Sequence, residues 1–205
     1  MYTPDIYKNE NQAEIKQFIS DNGFGILINQ TNGKPWATHI PLYLDVNVAG
    51  KEILVGHIAL ENPQSKSLMN DSEVLVVFSG AHSYISSSWY DHENVPTWNY
   101  LAVHVYGKIK ILNLDEAILS LKKLTDKYEI ISKNPIRVED LSAKTMRQAR
   151  GILAFEIEIT SIEATKKLSQ NRDAKNHSNI IAELEKLEDS NAKAVASEMK
   201  KCPIS

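Results

Sequence analysis

The chain has 205 residues, of which 42% are hydrophobic and 24% are charged, and its net charge is −3. A chain of this length buries about 70% of the surface that its unfolded form exposes, so it needs no disulfide or metal to hold a core. The acidic balance gives no support for binding nucleic acid through phosphates, which requires a basic face. Because Cys202 is the only cysteine, an internal disulfide is excluded and a reducing compartment is expected.

Neither a secretory signal nor a membrane helix is predicted. Residues 1–5 lack a basic segment followed by an apolar one, and no apolar run approaches the ~18 residues that a membrane helix requires. We therefore expect a cytoplasmic protein with a single domain over residues 1–205. Its core is expected from about 11 to 168, followed by a helical extension from about 173 to 201.

The first predicted element is a short helix over residues 11–21, where Asn11 and Glu14 have capping-box spacing. Strand-like segments follow it. The second and fifth of them alternate between apolar and polar residues, and the fourth is almost continuous in Val, Leu and Phe, as in a strand that is buried on both faces. These five segments are residues 24–29, 36–46, 53–59, 73–79 and 99–112.

Helical signals lie between and after these strands. Asn62 opens one or two helical turns over residues 63–70, and Asn113 with Glu116 caps a clearer helix. A weaker helix is predicted over residues 139–150.

The C-terminal part begins with a long last strand that opens at Gly151. From about Asp173 to Lys201 the chain is predicted to be helical, with an apolar stripe that fades after Leu187. The last dozen residues are therefore expected to fray or to dock only weakly. Six strands with short connections, and without alternating strand–helix units, predict a closed or nearly closed antiparallel barrel with helices packed outside.

Signatures of several common functions are absent from the sequence. It contains no GxxxxGK[ST] or GxGxxG phosphate loop, no GxSxG nucleophile motif and no recognisable helix-turn-helix. No histidine pair has a helical or zinc-type spacing, so no metal site is predicted. His39, His57 and His104 lie in predicted strands, where they either converge on a ligand or a metal or, more commonly, make hydrogen bonds within the barrel.

The segment from Ser83 to Tyr106 is crowded with aromatic rings, hydroxyls and an amide. Rings with polar tips suit a flat heteroaromatic ligand that stacks on one face and accepts hydrogen bonds at its rim. The alternative is that Trp89, Tyr90 and Trp98 simply close one end of the barrel, and the residues alone leave both interpretations open. Asn62 to Lys66 also opens a helical turn after a strand, which is typical of a phosphate site but also of many surface helices.

Taken in order, these segments resemble the PaiB family, which is described as FMN-binding negative transcriptional regulators of the FMN-binding split-barrel superfamily. The chain departs from the family's more frequent residues at Ser65, where Trp is more common, and at Ser87, where Pro is more common. The segments that carry the resemblance are Met1–Pro4, Ala37–Leu42, Gly56–Ala59, Asn62–Gln64, Val76–Gly80, Tyr84–Ser86, Ser88–Tyr90, Val95–Tyr100, Ala102–Gly107 and Lys167–Arg172.

The resemblance implies a dimer of antiparallel split β-barrels, mainly β with flanking helices, with FMN bound at the subunit interface. It implies that Lys66 meets the flavin phosphate, and it identifies no catalytic residue. The cofactor-binding residues that it implies are Thr38, His39, His57, Ile58, Asn62, Lys66, Trp89, Trp98, Asn99, Lys167 and Gln170.

Three functions follow from the resemblance. The first is a PaiB-type FMN-binding negative transcriptional regulator that acts as a homodimer, through DNA or through a regulatory protein, although the sequence shows no element that reads DNA. The alternative is a flavin-dependent oxidoreductase of the pyridoxamine-phosphate oxidase kind. A haem-handling protein on the same fold ranks last.

Overall fold

The computed structural model describes residues 1–202, and its six strands form a closed barrel. The strand order around the barrel is β1-β2-β3-β6-β5-β4, and the pairs β1/β2, β1/β4, β2/β3 and β3/β6 are antiparallel. The predicted antiparallel barrel of six strands is therefore confirmed. The strands are β1 Phe24–Thr31, β2 Lys34–Val46, β3 Glu52–Ala59, β4 Glu73–Ile85, β5 Thr97–Ile111 and β6 Ile152–Lys167.

Five α-helices accompany the barrel, and none in residues 1–202 is long and apolar enough to cross a membrane. The capping box predicted for Asn113 and Glu116 is present at the start of α2. The helices are α1 Gln12–Asp21, α2 Leu114–Glu129, α3 Ala143–Met146, α4 Ala174–Lys186 and α5 Ser190–Lys201.

The helix predicted over residues 139–150 is wrong as one continuous element. A 3₁₀ turn at Val138–Asp140 ends before Leu141, which is extended, and α3 covers only four residues before a second 3₁₀ turn at Arg147–Gly151. Ser142 causes the restart, because its hydroxyl accepts a hydrogen bond from the amide of Thr145 at 3.2 Å and so caps a new helix.

The chain divides into two compact units. We call residues 19–78 and 105–162 the central unit, and residues 1–18, 79–104 and 163–202 the terminal unit. The strands β4, β5 and β6 each contribute residues to both units, whereas β1, β2 and β3 belong to the central unit alone.

The core of the central unit is built from the alternation of its strands. Val105 and Ile109 of β5 are buried while Lys108 and Lys110 are exposed, as the sequence predicts. Gly107 lies between them, and a Cβ atom there would be 2.5 Å from the carbonyl oxygen of Glu158. The close approach of these backbones therefore depends on glycine.

The terminal unit has its own core, formed by the last two helices against the ends of the long strands. For residues 194–202, the expectation that the chain frays or docks only weakly is wrong, because the four inward-facing residues of α5 are 0% exposed. Residues 203–205 of that expectation lie outside the described residues. Two of the four α5 residues are alanines spaced four residues apart, so the stripe is narrow and weakly hydrophobic in sequence, but it packs closely. The buried members of this core are Ile85, Tyr90, Leu101, Leu168, Ile180, Leu184, Ala192, Val195, Ala196 and Met199.

Candidate functional site

A buried polar network in the central unit is centred on Gln64, which is 0% exposed. Its Nε2 donates to the carbonyl oxygen of Leu27 at 3.2 Å and to Oδ1 of Asn29 at 3.0 Å, and its Oε1 accepts from the hydroxyl of Thr38. All three hydrogen-bonding functions of the amide group are thus joined to β1 and β2. Such a buried network fixes its members firmly, since each unpaired group would be costly.

Asn62 brings a second predicted residue into the same network. Its Nδ2 donates to the hydroxyl of Thr38 at 2.9 Å, while its Oδ1 accepts from the amide of Gln64 at 3.0 Å and caps the 3₁₀ turn Pro63–Ser67. The structure therefore brings Thr38 and Asn62 together, and the turn predicted after Asn62 is present.

The far end of this turn is held in the same way. The hydroxyl of Ser67 accepts from Nδ2 of Asn29 at 3.0 Å, lies 2.8 Å from the hydroxyl of Thr31, and donates to the carbonyl oxygen of Gln64 at 2.9 Å. Between the two anchored ends, Lys66 is exposed and has no ion pair within residues 1–202. The turn therefore carries an unpaired ammonium group on a backbone that is anchored at both ends.

His57 and Ile58 lie on β3 with opposite surroundings. Ile58 is 2% exposed and contributes its side chain to the core. His57 is half-buried, its Nδ1 is buried without a hydrogen-bond partner, and burial lowers the pKa of its imidazole. The ring is therefore neutral near pH 7 and has a nitrogen available to a ligand.

His39 lies on the other face of β2 from Thr38, because successive side chains of a strand point in opposite directions. Its ring is exposed and stacks on that of Phe24, with 6.1 Å between the ring centroids. Thr38 is instead paired with the buried Leu27 of β1. The structure thus separates these two adjacent predicted residues.

In the terminal unit, Asn99 and Gln170 are buried and hydrogen-bonded within the protein. Asn99 is 0% exposed, and its amide group is within hydrogen-bonding distance of the hydroxyl of Ser169 at 2.9 and 3.1 Å. Gln170 accepts from the amide of Leu168 at 2.8 Å and donates to the carbonyl oxygen of Lys166 at 2.7 Å. Both side chains therefore hold the turn that follows β6.

Lys167 begins that turn and is half-buried. Its Nζ donates to the hydroxyl of Thr97 at 2.5 Å and lies 6.0 Å from the ring centroid of Tyr7. Burial, and secondarily the positive charge of Arg172, lower the pKa of Lys167.

The two predicted tryptophans have different surroundings. Trp98 is 52% exposed, with the rings of His82 and Tyr84 at 6.1 and 6.0 Å between centroids. Trp89 is half-buried and, with the neighbouring Tyr90, lines an open cleft of about 640 Å³ against α4. The exposed rings around Trp98 are accessible to a ligand. Tyr90, by contrast, is 8% exposed, so most of its ring is packed in the core and only its edge reaches the cleft.

Two residues that the sequence did not assign to a site are central to these arrangements. Gln64 organises the polar network of the central unit, and Arg172 places its guanidinium 5.2 Å from the ring centroid of Tyr90. Both stand in segments that carry the family resemblance. The family resemblance therefore indicates both segments, but hydrophobic periodicity does not distinguish a buried polar residue in a turn from an exposed one.

The closed antiparallel barrel of six strands has the fold of flavin-binding split-barrel proteins. The family model described as "Putative FMN-binding domain" matches residues 1–161. The chain belongs to this family, and specifically to its PaiB branch. It is 43% identical over 197 residues to "Protease synthase and sporulation protein PAI 2" of Bacillus subtilis, covering 96% of this chain and 95% of that protein.

Solved structures confirm the fold. The FAD and heme binding protein from Mycobacterium smegmatis has a TM-score of 0.62 at 17% identity, covering 83% of this chain and 78% of that one. The flavocytochrome Anf3 from Azotobacter vinelandii has a TM-score of 0.60 at 14% identity, covering 84% and 75%.

FMN is the cofactor of this chain, as predicted, and the residues present fit it. A phosphate requires a cation, and Lys66 is a free one on an anchored turn. A flavin rim requires polar atoms, and His57 has a buried nitrogen without a partner. The donor set of the central unit is therefore suited to a phosphorylated heteroaromatic ligand.

Proposed function

We propose that this chain is a cytoplasmic, homodimeric, FMN-binding negative regulator of transcription. The observation that carries the FMN-binding part of the proposal is the Gln64 network, which fixes the Pro63–Ser67 turn on which the unpaired Lys66 lies. A relative that is 43% identical over almost its whole length is named for protease synthesis and sporulation, which supports a regulatory role.

In this proposal, each group of the central unit has a defined task. The ammonium group of Lys66 neutralises the flavin phosphate, and His57 offers a neutral imidazole to the rim of the ring system. Thr38 and Asn62 keep the turn in place through their hydrogen bond to each other. When bound, FMN supplies one- and two-electron redox chemistry, and the protein positions it and tunes its electronics.

The phosphate contact is tested by titrating the purified chain with FMN while flavin fluorescence is followed. Replacing Lys66 by alanine should weaken FMN binding by about 1.5–3 kcal/mol, which is tenfold or more, because a charge-assisted contact is lost. Lys133→Ala is the matched control, since Lys133 is also an exposed lysine of the central unit without an ion pair in residues 1–202. Equal affinities of the two variants would remove Lys66 from the site.

The homodimer is supported by the outward face of the barrel. Directly paired residues on β1, β2 and β4 share one face, and this face is apolar and at least partly exposed. Phe24, at the end of the face, is 64% exposed. The residues of the face are Phe24, Ile26, Ile28, Ala37, His39, Leu75 and Val77.

Light scattering coupled to size-exclusion chromatography tests the dimer. Ile28→Asp should convert it to a monomer, because Ile28 is paired with Ala37 and Leu75, so a buried carboxylate there would lack a partner. Val48→Asp, in the exposed turn between β2 and β3, should leave the dimer intact. A monomeric wild-type chain would contradict this part of the proposal.

The acidic net charge of −3 favours regulation through a partner protein over direct contact with DNA. A gel shift of promoter DNA that weakens steeply with salt would contradict this choice. A transcription assay with purified components, in which the chain represses only when a partner is added, would support it.

A flavin-dependent oxidoreductase is a second candidate, favoured by the neutral, half-buried His57 with its unpartnered Nδ1. Such a group is able to exchange a proton with a bound substrate. Steady-state oxidation of NADH or NADPH by the FMN-loaded chain, and its loss in His57→Phe with FMN affinity retained, would establish this function.

A further inference from the structure

Lys167 and Arg172 are two half-buried cations at the two ends of one short turn in the terminal unit. Neither forms an ion pair with a carboxylate within residues 1–202. Their neighbours behave differently, because Lys166 pairs with Glu14 at 2.6 Å and Lys175 pairs with a carboxylate at 2.8 Å. Partial burial removes part of the hydration of each cation, so an anionic partner would stabilise it.

The turn that carries these two cations is fixed by buried hydrogen bonds. Ser169 adopts a left-handed conformation with φ 58°, and its hydroxyl lies within hydrogen-bonding distance of the fully buried amide group of Asn99. The amide of Arg172 donates to the carbonyl oxygen of Ser169 at 3.0 Å, and the side chain of Gln170 accepts from the amide of Leu168 and donates to the carbonyl oxygen of Lys166. A non-glycine residue with positive φ persists only where its surroundings hold it in that conformation, so the hydrogen bonds to Asn99 fix the backbone of this turn.

An aromatic ring supports each cation from one side. Nζ of Lys167 lies 6.0 Å from the ring centroid of Tyr7, and the guanidinium of Arg172 lies 5.2 Å from that of Tyr90. A guanidinium that stacks on a ring keeps the N–H groups at its edge free to donate in its own plane. The hydroxyl of Tyr90 is itself buried without a hydrogen-bond partner.

The two positive charges also act on each other. Arg172 is near enough to lower the pKa of Lys167, in addition to the effect of burial. Two like charges in a partly buried region repel each other, and an anion with two negative charges would reverse that repulsion.

We propose that the Lys167–Arg172 turn is a binding site for a phosphate group, either inorganic phosphate or the phosphomonoester of a small molecule. A phosphate carries about two negative charges near pH 7 and accepts hydrogen bonds on several oxygens, which matches one ammonium and one guanidinium group. Lys167 is also one of the FMN-binding residues that the family resemblance implies. The proposal concerns a phosphate group that binds while FMN is present, and it does not depend on the proposed regulator.

Isothermal titration calorimetry of the FMN-loaded full chain, at low ionic strength, tests the proposal. Inorganic phosphate and phenyl phosphate are titrated separately. Lys167→Ala and Arg172→Ala should each lower the affinity about tenfold or more, since each loses a charge-assisted contact. Lys193→Ala removes the same charge from an exposed, unpaired lysine of α5 and should leave the affinity unchanged.

The conservative variant Lys167→Arg keeps the positive charge, so it should retain most of the affinity and shows that the turn still folds. Tighter binding of phenyl phosphate identifies a phosphomonoester as the ligand class, and equal binding identifies free phosphate. Absence of saturable binding to the wild-type chain would overturn the proposal, as would an equal loss in Lys193→Ala. A loss of FMN affinity in Lys167→Ala, with phosphate binding unchanged, would assign the turn to the flavin site instead.

Discussion

Replacing Gln64 by methionine is the sharpest test of how the central unit positions Lys66. Methionine is close to glutamine in length and volume, so the change removes hydrogen bonds without opening a large cavity. The side chain of Gln64 is 0% exposed and makes three hydrogen bonds, to Leu27, Asn29 and Thr38. The substitution therefore removes all three at once.

The expected loss of stability depends on which former partners of Gln64 keep another hydrogen bond after the substitution. Oδ1 of Asn29 also lies 3.3 Å from the hydroxyl of Thr31, and that interaction remains. The carbonyl oxygen of Leu27 loses a buried donor, at about 1–3 kcal/mol. The hydroxyl of Thr38 is half-buried and still accepts from Nδ2 of Asn62, so its loss is about 1 kcal/mol. Burial of the thioether offsets about 1 kcal/mol of this. We expect the free energy of unfolding to fall by about 1–3 kcal/mol.

Urea unfolding followed by fluorescence measures this change, and FMN titration measures its consequence. Gln64→Met should also weaken FMN binding, although its side chain is buried, because the turn that carries Lys66 loses its anchor. The loss should not exceed that of Lys66→Ala, which removes the charge itself. Gln148→Met is the control, since Gln148 is exposed.

Two outcomes would refute this reasoning. If Gln64→Met unfolds at the wild-type urea concentration, the network does not stabilise the central unit. If stability falls while FMN affinity stays unchanged, the network stabilises the fold but does not position the phosphate contact.

Two further predictions concern packing and pH. Gly107→Ala should destabilise the chain by about 1–3 kcal/mol, because the new Cβ would lie 2.5 Å from the backbone oxygen of Glu158, whereas Gly151→Ala, with nothing within 4 Å, should be close to neutral in the same urea assay. His177 is 4% exposed and burial lowers its pKa, so its contribution to stability is fully present above the ordinary value of about 6.5 and is lost as the pH falls from there. The midpoint of thermal unfolding should therefore depend less on pH between 7 and 5 in His177→Gln than in the wild type, and a profile parallel to that of the exposed His92→Gln would contradict this.

Strand periodicity predicted most of the fold because burial in a barrel alternates along each strand. In β5, the buried Leu101, Val103 and Val105 follow that alternation without interruption. The sequence predicts that β4 ends near Ser79, because Gly80 and the polar residues after it do not resemble a strand. In the structure, β4 continues to Ile85. At Gly80 a Cβ would lie 2.6 Å from the ring of Phe18, so the glycine serves close packing, which periodicity does not report.

The candidate site was less predictable than the fold, because its key residues are polar groups that face inward. The sequence pointed to the correct segments but not to the orientation of each side chain within them. Asn99 and Gln170 remain predicted cofactor residues, yet both are buried and hydrogen-bonded within the protein, and Arg172 presents the free cation beside them. Which polar side chain faces outward depends on hydrogen bonds between residues far apart in the sequence.

The same physical arrangement recurs in both units and explains why the buried amides matter for function. In the central unit, Gln64 fixes a short turn and leaves Lys66 without an acidic partner; in the terminal unit, Asn99 fixes a turn that carries Lys167 and Arg172. A flexible lysine loses side-chain entropy when it binds an anion, and a rigid backbone beneath it reduces the further cost of ordering the loop. Substitution of either buried amide should therefore weaken anion binding at its own turn, because the amide acts by holding the cation in position rather than by touching the ligand.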